Sequence, residues 1–320
     1  MTCPVLTVTL NPALDQTIIL DHLRVGEVNR ACKAMVHAGG KGVNVASCLA
    51  DWDRTGITAT GILGADNEAA FNALFKAKSI TDGFVRAPGE TRTNIKLSHD
   101  GDTTDVNLPG LDIAPAVMGA LVKSVRDLAR AEGVVLLAGS LPAGLSPEIY
   151  PLLAEQAVAA GARVLVDSSG APLKAALNGA VMPYAIKPNR EELEDFIGHE
   201  LKDDAALLRA ARGLNARGVA LVVVSLGADG ALFVTAQEVL RASVPPMRVT
   251  STVGAGDAMM AGIIAGLRES AGLERIARLG TAFAAGKLAH PGADLPSRQE
   301  VEALAARVQI TNELRGGQKI

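Results

Sequence analysis

The segment Ser251-Thr252-Val253-Gly254-Ala255-Gly256-Asp257, followed by an apolar helical run through Leu267, carries the strongest chemical signal in the chain. Gly254 and Gly256 let the backbone pass close to a ligand and aim several N–H groups at one point. A helix beginning there adds a dipole that favours an anion. An acid at the same spot repels a bound phosphate, so Asp257 is out of place in a site that only binds one. It makes sense as a base. The carboxylate takes a hydroxyl proton while the N–H groups of Gly254, Ala255 and Gly256 hold the charge that builds on a transferring phosphoryl group. A first-turn helix acid placed only for the dipole has the same local pattern. The segment is not a Walker A loop, because no G-x-x-x-x-G-K-[ST] occurs in the chain.

Five further segments can carry chemistry, and each has a plain structural reading beside it. Gly39-Gly40-Lys41-Gly42, with Asn44 just beyond, puts a lysine within reach of an anion and an amide within reach of sugar hydroxyls; a tight turn with a solvated lysine looks the same. Lys187-Pro188-Asn189-Arg190-Glu191-Glu192 has the spacing of a capping box. Its functional reading sets Asn189 and Glu192 near a triphosphate and a water-bound Mg²⁺. Asn11-Pro12-Ala13-Leu14-Asp15 follows the first strand, where ligands sit in α/β sheets, so Asp15 can accept hydrogen bonds from sugar hydroxyls or simply cap a loop. Thr91-Arg92-Thr93-Asn94 offers a guanidinium fork for a phosphate or an edge-strand charge. Ser225 to Gly230, through Gly227, is a strand-end turn that borders a nucleotide or opens a hairpin.

The elements that must position these residues follow a βα rhythm. Strands are expected at Val5–Leu10, Thr17–Leu20, Arg30–His37 and Ile57–Leu63, with helices at Val43–Trp52 and Asn67–Lys76. Arg92–Ser98 and Thr103–Leu108 pattern as two strands around a turn at Asp100-Gly101 with no helix between them. From Ala114 onward buried strands alternate with helices. Helices are expected at 114–131, 147–160, 190–197 and 203–216, and strands at 133–138, 162–167, 184–187 and 220–225. A hairpin is expected over 230–244, and helices over most of 254–310. Continuous apolar strands between helices indicate a parallel sheet covered on both faces. The expectation is one α/β domain over 1–320, with a small β lid inserted in two pieces, about 12–37 and 89–108, and a tail beyond Asn312 that frays. Ile95 and Leu97 alternate on one side of the lid, which suggests a buried face and a lid-mediated homodimer.

Composition narrows the partners. Of 320 residues, 48% are hydrophobic and 20% charged, enough to bury a large core. A net charge of −3 without runs of one sign shows no footprint for nucleic acid or for a membrane surface. Cys3, Cys32 and Cys48 have no metal-like spacing, and an unpatterned odd count points to a reducing compartment. The N-terminal residues pattern as a strand rather than a signal peptide, and no apolar stretch reaches transmembrane length. The cytoplasm is the expected setting.

Taken together, the series TLNPALD, AGGKGVNVA, TRTNIKL, AGSLPAGLSPE, VDSSG, IKPNREEL, VSLGADGA and STVGAGDAMMAG resembles, in order and over nearly the whole chain, the phosphofructokinase B family of ribokinase-like sugar kinases. The resemblance implies a three-layer α/β/α fold with a mainly parallel sheet and a β lid that often mediates dimers. It implies phosphoryl transfer from Mg-ATP to a sugar hydroxyl, with Asp257 as base and Gly254 to Gly256 as anion hole. It places Asp15, Gly39, Gly40, Lys41, Asn44, Arg92, Asn94 and Ser140 on the sugar side. Lys187, Asn189, Glu192, Ser225, Gly227 and Gly230 fall on the nucleotide side, with Mg²⁺ ordered through Asn189 and Glu192. Within the family, TRTNIKLSHDGDTTDVNLPG and STVGAGD are most similar to the branch that phosphorylates fructose 1-phosphate. DSSGAPLKAAL and AIKPN are also similar to the tagatose 6-phosphate branch, and fructose 6-phosphate stays open as an acceptor. Lys41 and Arg92 would neutralise the phosphate such substrates already carry. Many members acting on unphosphorylated sugars have Asp where this chain has Ser251, which puts their monovalent-cation site in doubt here. A sugar-phosphate-binding regulator on a kinase scaffold is the non-enzyme alternative; an intact Asp257 with both glycines argues against it.

Overall fold

The computed structural model describes residues 3–245, 247, 254–290 and 294–313. Ser251 and the tail from 314 onward lie outside them, so the readings made for those positions are not addressed by the fold.

Short, continuously apolar strands separated by helices leave both sheet faces to be covered, and the structure covers both. The central sheet runs, in spatial order, Gln309–Asn312, Val239–Ser243, Ala231–Val234, Leu221–Ser225, Ala185–Ile186, Arg163–Asp167, Val134–Ala138, Val5–Thr9, Ile57–Gly64 and Thr81–Asp82. Val85–Ala87 also pairs with Ile57–Gly64. From Leu221–Ser225 to Thr81–Asp82 every pairing is parallel; the three strands at the other edge are antiparallel. Side chains alternate between two cores, as the period of a strand requires. In Val134–Ala138, Val134, Leu136 and Ala138 enter one core and Val135 and Leu137 the other. The first core packs against Lys41–Trp52, Ala69–Lys78, Ala255–Arg268, Leu273–Ala289 and Arg298–Arg307. The second packs against Pro115–Leu128, Ile149–Ala159, Gly170–Asn178, Arg190–Ile197 and Asp204–Ala216. Each fully buried Leu or Val contributes roughly 1.5–3 kcal/mol.

A second sheet of four strands, ordered Lys33–Gly39, Ala13–Ile19, Thr93–His99 and Asp102–Asn107, forms the lid. Its last hairpin turns at Asp100 and Gly101, both with positive φ (50° and 85°), which matches the right-handed twist of the flanking strands. Asp15 lies opposite both Asn94 and His37, so these three share a face. Gln16 lies opposite Val36 and Ile95, and Ile95 opposite Val106, which gives the other face an apolar stripe.

Three boundaries differ from the sequence patterns. The second strand begins at Ala13 rather than Thr17, so Asp15 is a strand residue and not a loop cap. The pattern hides this because Asp15 and Thr17 are the polar, site-facing half of the alternation. The third begins at Lys33 and extends to Gly39. The helix after the glycines starts at Lys41 itself. Gly170–Asn178 is a helix that Gly170 and Pro172 disguise as a turn; proline in a first helical turn loses no hydrogen bond. Gln309–Asn312, read as the end of a helical stretch, is an edge strand.

Candidate active site

The carboxyl ends of the parallel strands converge on one crevice, where open α/β sheets bind ligands. Register decides which side chains meet there. Thr9 pairs with Ala138 and Ala138 with Asp167; Val166 pairs with Ile186, so Asp167 and Lys187 are neighbours at adjacent strand ends. The helix Ala255–Arg268 enters the crevice from the side with Gly254 as its cap. Gly254 has φ +80, a left-handed backbone that favours glycine, and this turns the chain into the helix.

Asp257 stands in the first turn of that helix and is only 9% exposed. Burial, and secondarily the charge of Asp167, push its carboxyl up to about 6. Asn44, from the helix that begins at Lys41, donates its Nδ2 to Asp257 Oδ2 at 2.8 Å. The amide was read as a sugar ligand; one of its donors engages the base and orients it. Lys41 and Lys187 favour the ionised carboxylate. The result is a base poised just below neutrality, the range useful for taking a hydroxyl proton.

Asp167 is the residue that sequence patterns left without a role. It is 1% exposed, accepts from Lys41 Nζ at 3.0 Å through Oδ1, and has Lys187 Nζ at 3.5 Å from Oδ2. Oδ2 has no hydrogen-bond partner among the described residues. The available signal was its place as the last residue of a buried parallel strand. Burial works against the charge on Lys41, but the carboxylates of Asp167 and Asp257 outweigh it and its pKa rises. Lys41 therefore sits at the Asp257 end of the crevice, between two carboxylates.

The sugar-side residues gather at the lid root. Asn94 Nδ2 donates to Asp15 Oδ1 at 3.1 Å, and a Cβ on Gly39 would overlap Asp15 Oδ2, so Gly39 is what lets that carboxylate lie against the lid backbone. Burial raises the Asp15 pKa. Asn94 Oδ1 is buried and unpartnered. Arg92, just before the lid strand, bonds only to carbonyls, with Nε to Pro12 at 3.3 Å, Nη2 to Asn11 at 3.3 Å and Nη1 to Leu108 at 3.5 Å. It forms no ion pair among the described residues, and burial lowers its pKa. Asn11 Nδ2 also reaches Ser140 Oγ at 3.2 Å, which ties Ser140 to the same group.

At the other end, Asn189 and Glu192 form a reciprocal capping box. Asn189 accepts from the Glu192 N–H at 2.8 Å, and Glu192 accepts from the Asn189 N–H at 2.9 Å. Such a cap contributes about 1 kcal/mol, and it also fixes both side chains at the crevice rim. Asn189 bridges Ser225 in a parallel fashion. A cleft of about 340 Å³ opens here beside Asn189, Ser225, Leu226 and Gly227. Gly230 closes the turn with φ +84, where any Cβ would strike the backbone of Ala242. Among the described residues no three His, Cys, Asp or Glu side chains form a metal cage.

The family model described as pfkB family carbohydrate kinase matches residues 8–300. A 1-phosphofructokinase of Xanthomonas campestris pv. campestris is 50% identical over 315 residues, covering 97% of this chain and 99% of the relative. A 1-phosphofructokinase of Rhodobacter capsulatus is 43% identical over 314 residues, covering 97% and 98%. Phosphofructokinase-2 of Escherichia coli, solved in complex with fructose-6-phosphate, superposes with a TM-score of 0.87 at 28% identity, covering 95% of this chain and 98% of that one.

Proposed function

We propose, from the premise that this chain belongs to the pfkB family of carbohydrate kinases, that it transfers the γ-phosphoryl group of ATP to fructose 1-phosphate, giving fructose 1,6-bisphosphate and ADP. As a family member it is a phosphotransferase acting on a sugar hydroxyl. The observation that carries the finer reading is Arg92, a half-buried guanidinium whose partners are all neutral carbonyls. Such a charge is completed by an anion, and a phosphosugar brings one that does not react.

The residues then divide the work. Arg92, with Ser140 nearby, holds the substrate's own phosphate, and Asp15, Asn94 and the Gly39–Gly40 backbone hold its hydroxyls. Asp257, ionised and held by Asn44, accepts the proton of the attacking hydroxyl. The Gly254, Ala255 and Gly256 N–H groups and the helix dipole stabilise charge on the transferring phosphoryl group. Lys41, at the Asp257 end, leans from Asp167 toward that same charge. On the nucleotide side stand Lys187, Asn189, Glu192, Ser225, Gly227 and Gly230. Mg²⁺ suits this end because it prefers oxygen ligands and keeps several waters. The orphaned Asp167 Oδ2 and the rim-fixed Glu192 and Asn189 fit a hydrated ion better than a direct cage. Bound there, the ion would neutralise phosphate oxygens.

The lid's outer face, where Val36 and Val106 are exposed beside Ile95, fits a homodimer. A cytoplasmic setting fits three unpaired cysteines. A coupled assay with fructose 1-phosphate, tagatose 6-phosphate and fructose 6-phosphate tests the substrate. The highest kcat/KM is expected for fructose 1-phosphate, and a higher value for either rival overturns the assignment.

A further inference from the structure

Lys287 lies in the last turn of Leu273–Ala289 and is only 8% exposed. Its stem passes behind the anion hole. A Cβ built on Gly254 would stand 3.3 Å from Lys287 Cε and 4.0 Å from Cγ. Gly254 is therefore held to glycine twice, by its left-handed φ and by the lysine stem on its Cα. The charge is felt on both sides of this contact. It opposes the burial that pushes the Cys48 thiol up to about 12, and it helps keep Asp294 ionised, chiefly behind the hydrogen bond from Lys78. Cys48 also feels the Asp257 carboxylate.

Around it lies a group of charges that runs from the buried Lys78 to the exposed Asp294. Lys78 Nζ lies 2.7 Å from Asp51 and 2.7 Å from Asp294, and Asp51 Oδ2 accepts from the Leu295 N–H at 2.9 Å. Two carboxylates and two ammoniums leave that group neutral. Burying an ammonium costs several kcal/mol before compensation. A methionine would brace Gly254 with the same length of chain and no such cost. The stem alone does not explain a lysine.

We infer that Lys287 is a positioning residue for phosphoryl transfer. Its stem fixes the cap of the Asp257 helix, and its buried ammonium supplies a positive charge behind the N–H groups that receive the transferring phosphoryl. Fixed charge aimed where negative charge develops, inside a site poor in water, acts mainly on the transition state. The effect should therefore appear in kcat and spare the binding of the phosphosugar.

The alternative is that Lys287 only balances Asp294, and a double variant separates the two. Lys287→Met is expected to lower kcat roughly tenfold to a hundredfold, short of the loss of a direct oxyanion donor, with KM for the phosphosugar within about twofold. Lys287→Arg, which keeps the charge, should hold most of the turnover. Lys287→Met combined with Asp294→Asn keeps the group neutral, serves where the single variant does not fold, and should remain as slow as the single variant. Recovery of parent kcat by the double variant, or a Lys287→Met enzyme within about twofold of the parent, overturns the inference. It rests on the kinase reading. The readout is the ratio of variant to parent on whichever phosphosugar the parent phosphorylates, so a wrong sugar assignment sinks that assignment and leaves this ratio readable.

Discussion

Asn44 Nδ2 and Asp257 Oδ2 meet at 2.8 Å across 213 residues of chain. The bond joins the helix that starts at the lid root to the helix that starts at the anion hole. A hydrogen bond donated to a carboxylate favours its ionised form, so Asn44 holds down a pKa that burial drives up. Asn44→Ala should move the acidic limb of the kcat/KM profile upward from its parent position near 6, and the loss of rate should be largest below pH 7. A pH–rate profile checks it; an unmoved limb would mean that Asn44 does not tune the base.

Asp257 should trade stability for activity. Its folded-state value of about 6 lies above the ordinary 3.8, so the native state binds the proton more tightly than the unfolded chain. Stability from that proton is fully present below about pH 3.8 and is lost as pH rises through about 6. Asp257→Asn never carries the charge. It should be more stable than the parent at pH 8 by up to about 3 kcal/mol, with the gain vanishing near pH 4. Turnover should fall roughly 10²–10⁴-fold. Denaturant melts at the two pH values and steady-state rates test both halves. Turnover within a few-fold of the parent would remove Asp257 as the base.

Arg92 makes a prediction about binding rather than rate. A contact with a group that does not react is equally present before and during the transition state, and so registers in KM. A charged hydrogen bond contributes about 1.5–3 kcal/mol, so Arg92→Ala should raise KM for the phosphosugar roughly tenfold to a hundredfold or more and leave KM for ATP nearly unchanged. Arg92→Lys should recover part, because an ammonium lacks the planar fork. An effect confined to ATP would place this cation on the nucleotide side.

The lid predicts an oligomer. Val36 and Val106 are 49% and 44% exposed on the face opposite Asp15, with Ile95 between them in the register. If two lids pair there, Val106→Asp should shift the protein to monomer at micromolar concentration and lower activity, since each lid would lose its support. Light scattering of parent and variant decides it, and a parent that is already monomeric and fully active ends the idea.

Several features were legible along the chain because they are set within a few residues. Two glycines and an acid marked the helix start at Gly254 with Asp257 in its first turn. Two pairs of strand-like runs, with no helix inside either pair, marked the second sheet, and Asn189 with Glu192 marked a cap that the structure contains in full. Glycine or proline in a first turn imitates a loop, which displaced the helix start at Lys41 and left the helix Gly170–Asn178 unread.

Partnerships were another matter. Asp167 meets Lys41 and Lys187 because neighbouring strands end in register, and no local pattern states which strands are neighbours. Asn44 was read as able to bond sugar hydroxyls from its place beyond a glycine-rich loop; the packing of two helices is what aims its donor at Asp257. Lys287 carries no local signal, and only the fold puts its stem against Gly254. The sequence alone determined what each loop could do, since backbone conformation and side-chain chemistry act over a turn or two. Which of those capacities meet at one point was decided by strand order and helix packing, because a carboxylate responds to charges a few ångströms away in space, however many residues lie between.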